Sequence, residues 1–336
     1  MSKQPNPAGL PSRAEDPRAT DWGLYRARYE RDSCGFGLIA SLDDEPSHWV
    51  VQTAISSLNR LTHRGAVATD GKTGDGCGLL IKMPRRFLRA VAQESQIKLA
   101  PQFAAGLVFL DPDPAKADAA RRVLAAQIER ENLSVAGFRS LRVDPRACGE
   151  EALRTLPHIE QLFVNAGFDI DEATFNRRLY MARRRTEKIL EASDPAFYIP
   201  SLSASTIVYK GMVMPQHLAE FYPDLQDPRL EASVVVFHQR FSTNTLPQWR
   251  LAHPYRYLAH NGEINTVQGN RSGRWRAGRC FARRFCRTWA TCCPWSRSPA
   301  PILNRSTTCS SSSSWAASIP CTPCGCSCRR RGNPWT

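Results

Sequence analysis

Residues 31–40, RDSCGFGLIA, set a single cysteine, Cys34, ahead of Gly-Phe-Gly and an apolar run. A cysteine can pack as a small hydrophobe, bind a metal or, as a thiolate, act as a nucleophile. Gly35 and Gly37 let backbone and substrate come close to its sulfur. Cys77, in GDGCGLL, is also followed by glycine and offers the same residue type. A second chemistry-bearing stretch is FHQRFSTNTLPQWRLAHPYRYLAHNGEINTVQGN, residues 237–270. Arg240 closes an apolar run there, a place from which a guanidinium can hold a carboxylate bidentately. Asn261 and Gly262 follow, a side-chain amide beside a backbone N–H, two donors that can converge on one oxyanion. Asn-Gly is equally an ordinary hairpin dipeptide. In LTHRGA, His63 and Arg64 also read as a basic helix end that complements the macrodipole.

The elements that must position these residues follow from apolar periodicity. CGFGLIASL reads as a buried strand, with glycines where another backbone approaches. SHWVVQTAISSLNRLTHRG reads as a helix with Ser47 as N-cap and Trp49/Val50, Ala54, Leu58 and Leu61 on one face. Strands are expected over 74–83 (after a turn), 103–110, 159–164, 206–214 and 233–242. Helices are expected over 113–131, with Pro114 in its first turn, and over 171–192, a basic amphipathic segment. Strands and helices interleave without strict βαβ order, which implies an α+β fold of sheets covered by helices.

A cysteine before a strand, HRG after the first helix, RFSTNT after a later strand and then HNG, in that order, resemble the class II glutamine amidotransferases. The similarity is closer still to the amidotransferase domain of the bacterial NADPH-type glutamate synthase large chain, and it runs from about Arg31 to Arg271. The resemblance implies the N-terminal-nucleophile hydrolase fold, a four-layer αββα sandwich. It implies removal of a leader, 1–33, so that Cys34 heads the mature domain, 34–271. A freed α-amino group, pKa near ~8, then serves as base for its own thiol, pKa near ~8.5. By the same resemblance, Asn261 and Gly262 form the oxyanion hole, Arg240 grips the α-carboxylate of L-glutamine and Arg64 orders the pocket. Cys77 cannot be freed in this way and is read as a strand residue. No cofactor or metal is expected in this chain. FMN, an iron–sulfur cluster and NADPH, the last through a small partner subunit, are implied for the full-length enzyme.

The charge of the chain, +14, looks at first like a nucleic-acid signal, but its location argues otherwise. Of the 45 Lys and Arg, 11 fall in residues 273–336, which hold no Asp or Glu; the other 34 face 31 acidic residues, a net of +3. The body is nearly neutral. The tail, 272–336, carries nine of the 12 cysteines and five of the eight tryptophans, with no usable period. It admits a zinc or cluster site at Cys321, Cys324, Cys326 and Cys328, a basic nucleic-acid arm, or a shifted reading frame. The last reading is preferred, because composition and resemblance fail at the same place; most of the tail is then expected to be disordered. After Glu263 no acidic residue remains to bind the substrate α-amino group, as the resembled family does with an aspartate. An amidophosphoribosyltransferase-like enzyme and a non-catalytic basic nucleic-acid-binding protein are the rival functions. With neither a secretory h-region nor an 18-residue apolar run, a cytoplasmic protein, with no membrane and no nucleic-acid partner, is expected.

Overall fold

The computed structural model describes residues 35–241 and 246–257. Residues 1–33, Cys34, Asn261, Gly262 and the tail 272–336, all assigned roles from the sequence, lie outside the described residues.

Strand β1 (Phe36–Ala40) follows Gly35 directly. Helix α1 (His48–Asn59) starts as expected, with the Val50 amide donating to Ser47 Oγ at 3.4 Å. Its inward face differs from expectation: Val50, Val51, Ala54, Ile55 and Leu58 are buried, while Trp49 is 69% exposed. The helix stops at Asn59, and Thr62–Arg64 forms a separate 3-10 turn. Then come β2 (Thr73–Lys82), α2 (Arg85–Glu94), β3 (Phe103–Leu110), α3 (Pro114–Glu129), β4 (Ser134–Ser140) and the single turn α4 (Glu150–Leu153). The order closes with β5 (His158–Asn165), α5 (Glu172–Leu190), β6 (Thr206–Val213), α6 (Leu218–Phe221) and β7 (Val234–Gln239).

The strands form two antiparallel sheets, in the orders β1-β7-β2-β6 and β3-β5-β4. The mixed, segregated helices and antiparallel sheets make this an α+β fold. The pleat of β3 serves two cores at once. Phe103, Ala105, Leu107 and Phe109 join one apolar cluster, with α1, α2 and the inner face of the four-stranded sheet. Ala104, Val108 and Leu110 join another, with α3 and α5. The inner face of the four-stranded sheet is apolar across its register: Leu79 lies opposite Phe237 and Tyr209, and Ile81 opposite Val235 and Ile207. Its other face carries Phe36, Leu38, Leu80, Val234 and Val236; Phe36 is 41% and Leu38 59% exposed, and the other three are half-buried.

Helix α5 begins where the Thr174 amide donates to Asp171 Oδ1 at 2.9 Å. The arginines of its C-terminal half, however, turn inward. Arg183 and Arg185 are buried, and Arg185 pairs with Glu131. Arg183 Nη1 and Arg256 Nη2 both donate to Glu187 Oε1, at 2.7 and 2.9 Å, and Arg184 Nη1 donates to Oε2 at 2.5 Å. Burial acts to raise the Glu187 carboxyl, but the guanidiniums of Arg183, Arg256 and Arg184 outweigh it and hold it at about 2. This stabilisation is complete above an ordinary carboxyl pKa of 4.5 and is lost as the pH falls toward about 2. A fall in unfolding free energy on the order of 3 kcal/mol is therefore expected across that window. Urea titrations at a series of pH values should show it in the native chain, and Glu187→Gln should flatten it and lower the stability at neutral pH.

Candidate active site

The end of β7 brings together two of the residues singled out in the sequence, Arg64 and Arg240. Its last residue, Gln239, donates its amide to the Gly35 carbonyl at 2.6 Å, and the next amide, Arg240, donates to the Gly76 carbonyl at 2.9 Å. The central strand is thus pinned on both sides where Arg240 leaves it. A Cβ on Gly35 would run into the Gln239 carbonyl oxygen, so only glycine permits this approach. Gly65, behind the Thr62–Arg64 turn, packs against the Gln239 side chain in the same way. Arg64 Cβ lies 3.9 Å from the position a Cβ on Gly35 would take. Arg64 and Arg240, distant in sequence, therefore flank the residue that follows Cys34.

Arg240 is 1% exposed. Burial lowers its pKa, against the opposing influence of Tyr255 and Asp75. Its Nη1 donates to the Asp75 carbonyl at 3.1 Å. Asp75 in turn ties down the loop after Arg64: its amide donates to the Ala66 carbonyl at 3.3 Å, and its Oδ2 accepts from the Ala66 amide at 3.4 Å. Asp70 closes the same loop from outside. Its Oδ1 accepts from the Lys72 and Thr73 amides at 2.9 and 2.7 Å, and its Oδ2 from Thr73 Oγ1 at 2.6 Å and the Glu151 amide at 3.1 Å. Burial opposes its charge, but these bonds hold the carboxyl far below the usual carboxylate range. The sequence reading missed Asp70 and Asp75. Their signal was the acidic-glycine punctuation DGKTGDG, which reads only as a turn.

An aromatic column adjoins this corner. Phe36 stacks on His238 with ring centroids 5.9 Å apart, His238 meets His253 at 4.3 Å, and His253 meets Tyr255 at 4.5 Å. Neither described cysteine is suited to be a nucleophile. Cys77 is fully buried in β2, its Sγ donates to the Val213 carbonyl at 3.2 Å, and burial pushes its thiol far up. Burial likewise pushes the Cys148 thiol up to about 12. Cys77 is a strand residue, as expected. Cys34, Asn261 and Gly262, the proposed chemical centre, lie outside the described residues. Among the described residues no three His, Cys, Asp or Glu side chains converge to hold a metal, and no helix is long and apolar enough to cross a membrane.

The model of the family "Glutamine amidotransferases class-II" matches residues 34–294, and the match begins at Cys34. The chain belongs to the class II glutamine amidotransferases. Curated relatives of this amidotransferase include the glutamate synthase [NADPH] large chains of Bacillus subtilis, 39% identical over 251 residues, and of Azospirillum brasilense, 41% identical over 266. A third is ferredoxin-dependent glutamate synthase 2 of Synechocystis, 41% identical over 243 residues. The alignments cover 74%, 77% and 72% of this chain but only 16%, 17% and 15% of those proteins, in the same order. The amidotransferase chain thus matches about a sixth of the length of its curated relatives.

The two glycine contacts differ in what must yield. At Gly35 an added methyl meets a ladder carbonyl that cannot move alone; at Gly65 it meets the movable amide of a side chain. Gly35→Ala is therefore expected to lower stability by about 1–3 kcal/mol, and Gly65→Ala by clearly less. Urea midpoints of the two variants check the order.

Proposed function

We propose that this chain is the glutamine-hydrolysing part of a glutamate synthase large chain. The observation that carries the reading is the meeting of Arg64 and Gln239 at Gly35, the residue after Cys34, with Arg240 next along the strand and its guanidinium on the Asp75 carbonyl. The relatives, all glutamate synthases by name, supply the choice within the family.

On this reading residues 1–33 are removed, and Cys34 becomes the first residue of a domain that extends to about residue 271. The freed α-amino group takes the thiol proton, and the sulfur attacks the side-chain carbonyl carbon of L-glutamine. The Asn261 amide and the Gly262 N–H stabilise the tetrahedral oxyanion. The proton returns to the departing nitrogen and ammonia leaves; water then cleaves the thioester and releases glutamate. Arg240 binds the substrate α-carboxylate. Arg64 keeps the pocket in order, and Asp75 holds the loop that joins the two arginines. The half-exposed apolar face of Phe36, Leu38, Leu80, Val234 and Val236 suits a further sheet packed on it, as in a four-layer αββα sandwich of the N-terminal-nucleophile type. In the full-length enzyme, a cytoplasmic one, the ammonia aminates 2-oxoglutarate. FMN, an iron–sulfur cluster and NADPH, reached through the small subunit, provide the reducing chemistry there, outside this region. The tail 272–336 is read as the product of a shifted frame.

The test is glutamate release from glutamine by a protein that begins at Cys34 and has its frame restored after Arg271. Cys34→Ser should abolish turnover, and Asn261→Ala should cost on the order of 10²-fold in kcat. Arg240→Ala should raise KM with little change in kcat, because the carboxylate is held alike in ground and transition states. An Arg240 variant that loses kcat alone, or a Cys34 variant that keeps turning over, contradicts the assignment.

A further inference from the structure

A second polar site lies toward the other end of the four-stranded sheet. In that sheet Cys77 pairs with Gln239 and with Gly211 at the Arg240 end, whereas Thr206 pairs with Lys82 five residues further along β6. Beside Thr206 a cleft opens between α5, residues 201–206 and residues 256–257. Arg183, Arg256, Ser201, Thr206, Tyr180 and Tyr257 line it. The two guanidiniums are 2% and 7% exposed. Among the described residues Glu187 is the one carboxylate that pairs with either of them, and both use its Oε1.

Cations outnumber carboxylates here. Arg184 draws on the same Glu187, and Arg256 also lies 4.9 Å from the Tyr198 ring. The Tyr198 ring supplies cation–π attraction but no negative charge. Arg256 Nη2 donates to Glu187 and to the Ile199 carbonyl, yet its buried Nε has no hydrogen-bond partner among the described residues. A buried guanidinium N–H left unsatisfied beside a second guanidinium is costly and calls for an anion. Further donors are at hand. Ser201 Oγ accepts from the Val208 amide at 2.9 Å, which leaves its own proton to give. Thr206 brings another hydroxyl to the cleft.

We infer that the cleft between Arg183 and Arg256 binds a small inorganic anion, a halide such as chloride. Size selects the ligand class: the cleft has room for about one water-sized occupant, which suits a monatomic anion and not a phosphate or an organic carboxylate. The anion would neutralise part of the cation excess and satisfy the Arg256 Nε–H. It would tie α5 to residues 256–257 and so support the fold there.

The test uses the full chain at neutral pH. Its Tm is measured in sodium chloride and in sodium gluconate at matched ionic strength, and chloride-35 NMR linewidths report binding directly. The expected result is a saturable rise in Tm in chloride that gluconate does not reproduce, with excess linewidth that bromide displaces. Thr206→Val keeps a β-branched residue in the strand and removes one donor; it should raise the half-saturating chloride concentration about tenfold. Arg256→Gln should abolish the saturable response. Equal Tm changes in chloride and gluconate overturn the inference, as does a linewidth unchanged in Arg256→Gln or a half-saturation unchanged in Thr206→Val.

Discussion

Two consecutive backbone amides at the end of β7 hold the candidate site corner together. Gln239 reaches the Gly35 carbonyl on one side and Arg240 the Gly76 carbonyl on the other. Because the strand lies between β1 and β2, its end cannot swing without breaking one of these bonds. That constraint sets the backbone at Gly35, and so the place where the preceding residue joins. It also fixes where Arg240 leaves the sheet. The loop after Arg64 is then locked to the same corner by Asp75, and from its outer side by Asp70. Gly35 and Gly65 belong to this arrangement by what they lack, since each presents bare backbone to Gln239.

The rest of the fold supplies rigidity through buried charge as much as through apolar packing. Arg139 grips Asp224 bidentately at 2.8 and 2.9 Å, and Tyr209 adds its hydroxyl to Asp224 at 3.3 Å. Arg121 holds Glu160 in the same fork at 2.8 Å on both arms. These bonds join α3 to β5 and β4 to the segment before β7, and their partly buried geometry gives them more weight than exposed pairs have. The Glu187 cluster differs in having more cations than carboxylates, and there the cleft beside Thr206 invites an anion from solution.

Much of this was legible in the sequence, for physical reasons that can be named. The strands β1, β2, β3, β5, β6 and β7 announced themselves as apolar runs, and α3 and α5 as periodic segments behind Asp113 and Asp171 caps. Helix α2 was missed: Pro84 offers no capping side chain, and Arg85 and Arg86 sit unfavourably at its positive end. Strand β4 was missed because its short run SVAGFRS is bulged between Val135 and Gly137 and only half-buried. Helix α5 read as a basic amphipathic segment, and tertiary pairing buries its Arg183 and Arg185. Arg64 and Arg240 were singled out through motif order, which spacing alone would not have revealed, and the structure places both near Gly35. Asp70 and Asp75 stayed hidden because a loop-locking carboxylate and a turn carboxylate look the same in one dimension.

The central claim is that the corner at Gly35 exists to present Cys34 as the nucleophile. Mapping by mass spectrometry of the cysteine alkylated by a diazo-ketone analogue of glutamine tests this most directly. Label on Cys34, suppressed by excess glutamine, is the expected result, because Cys77 and Cys148 are buried thiols whose ionisation is strongly opposed. Label on Cys77 or Cys148 with Cys34 untouched would contradict it.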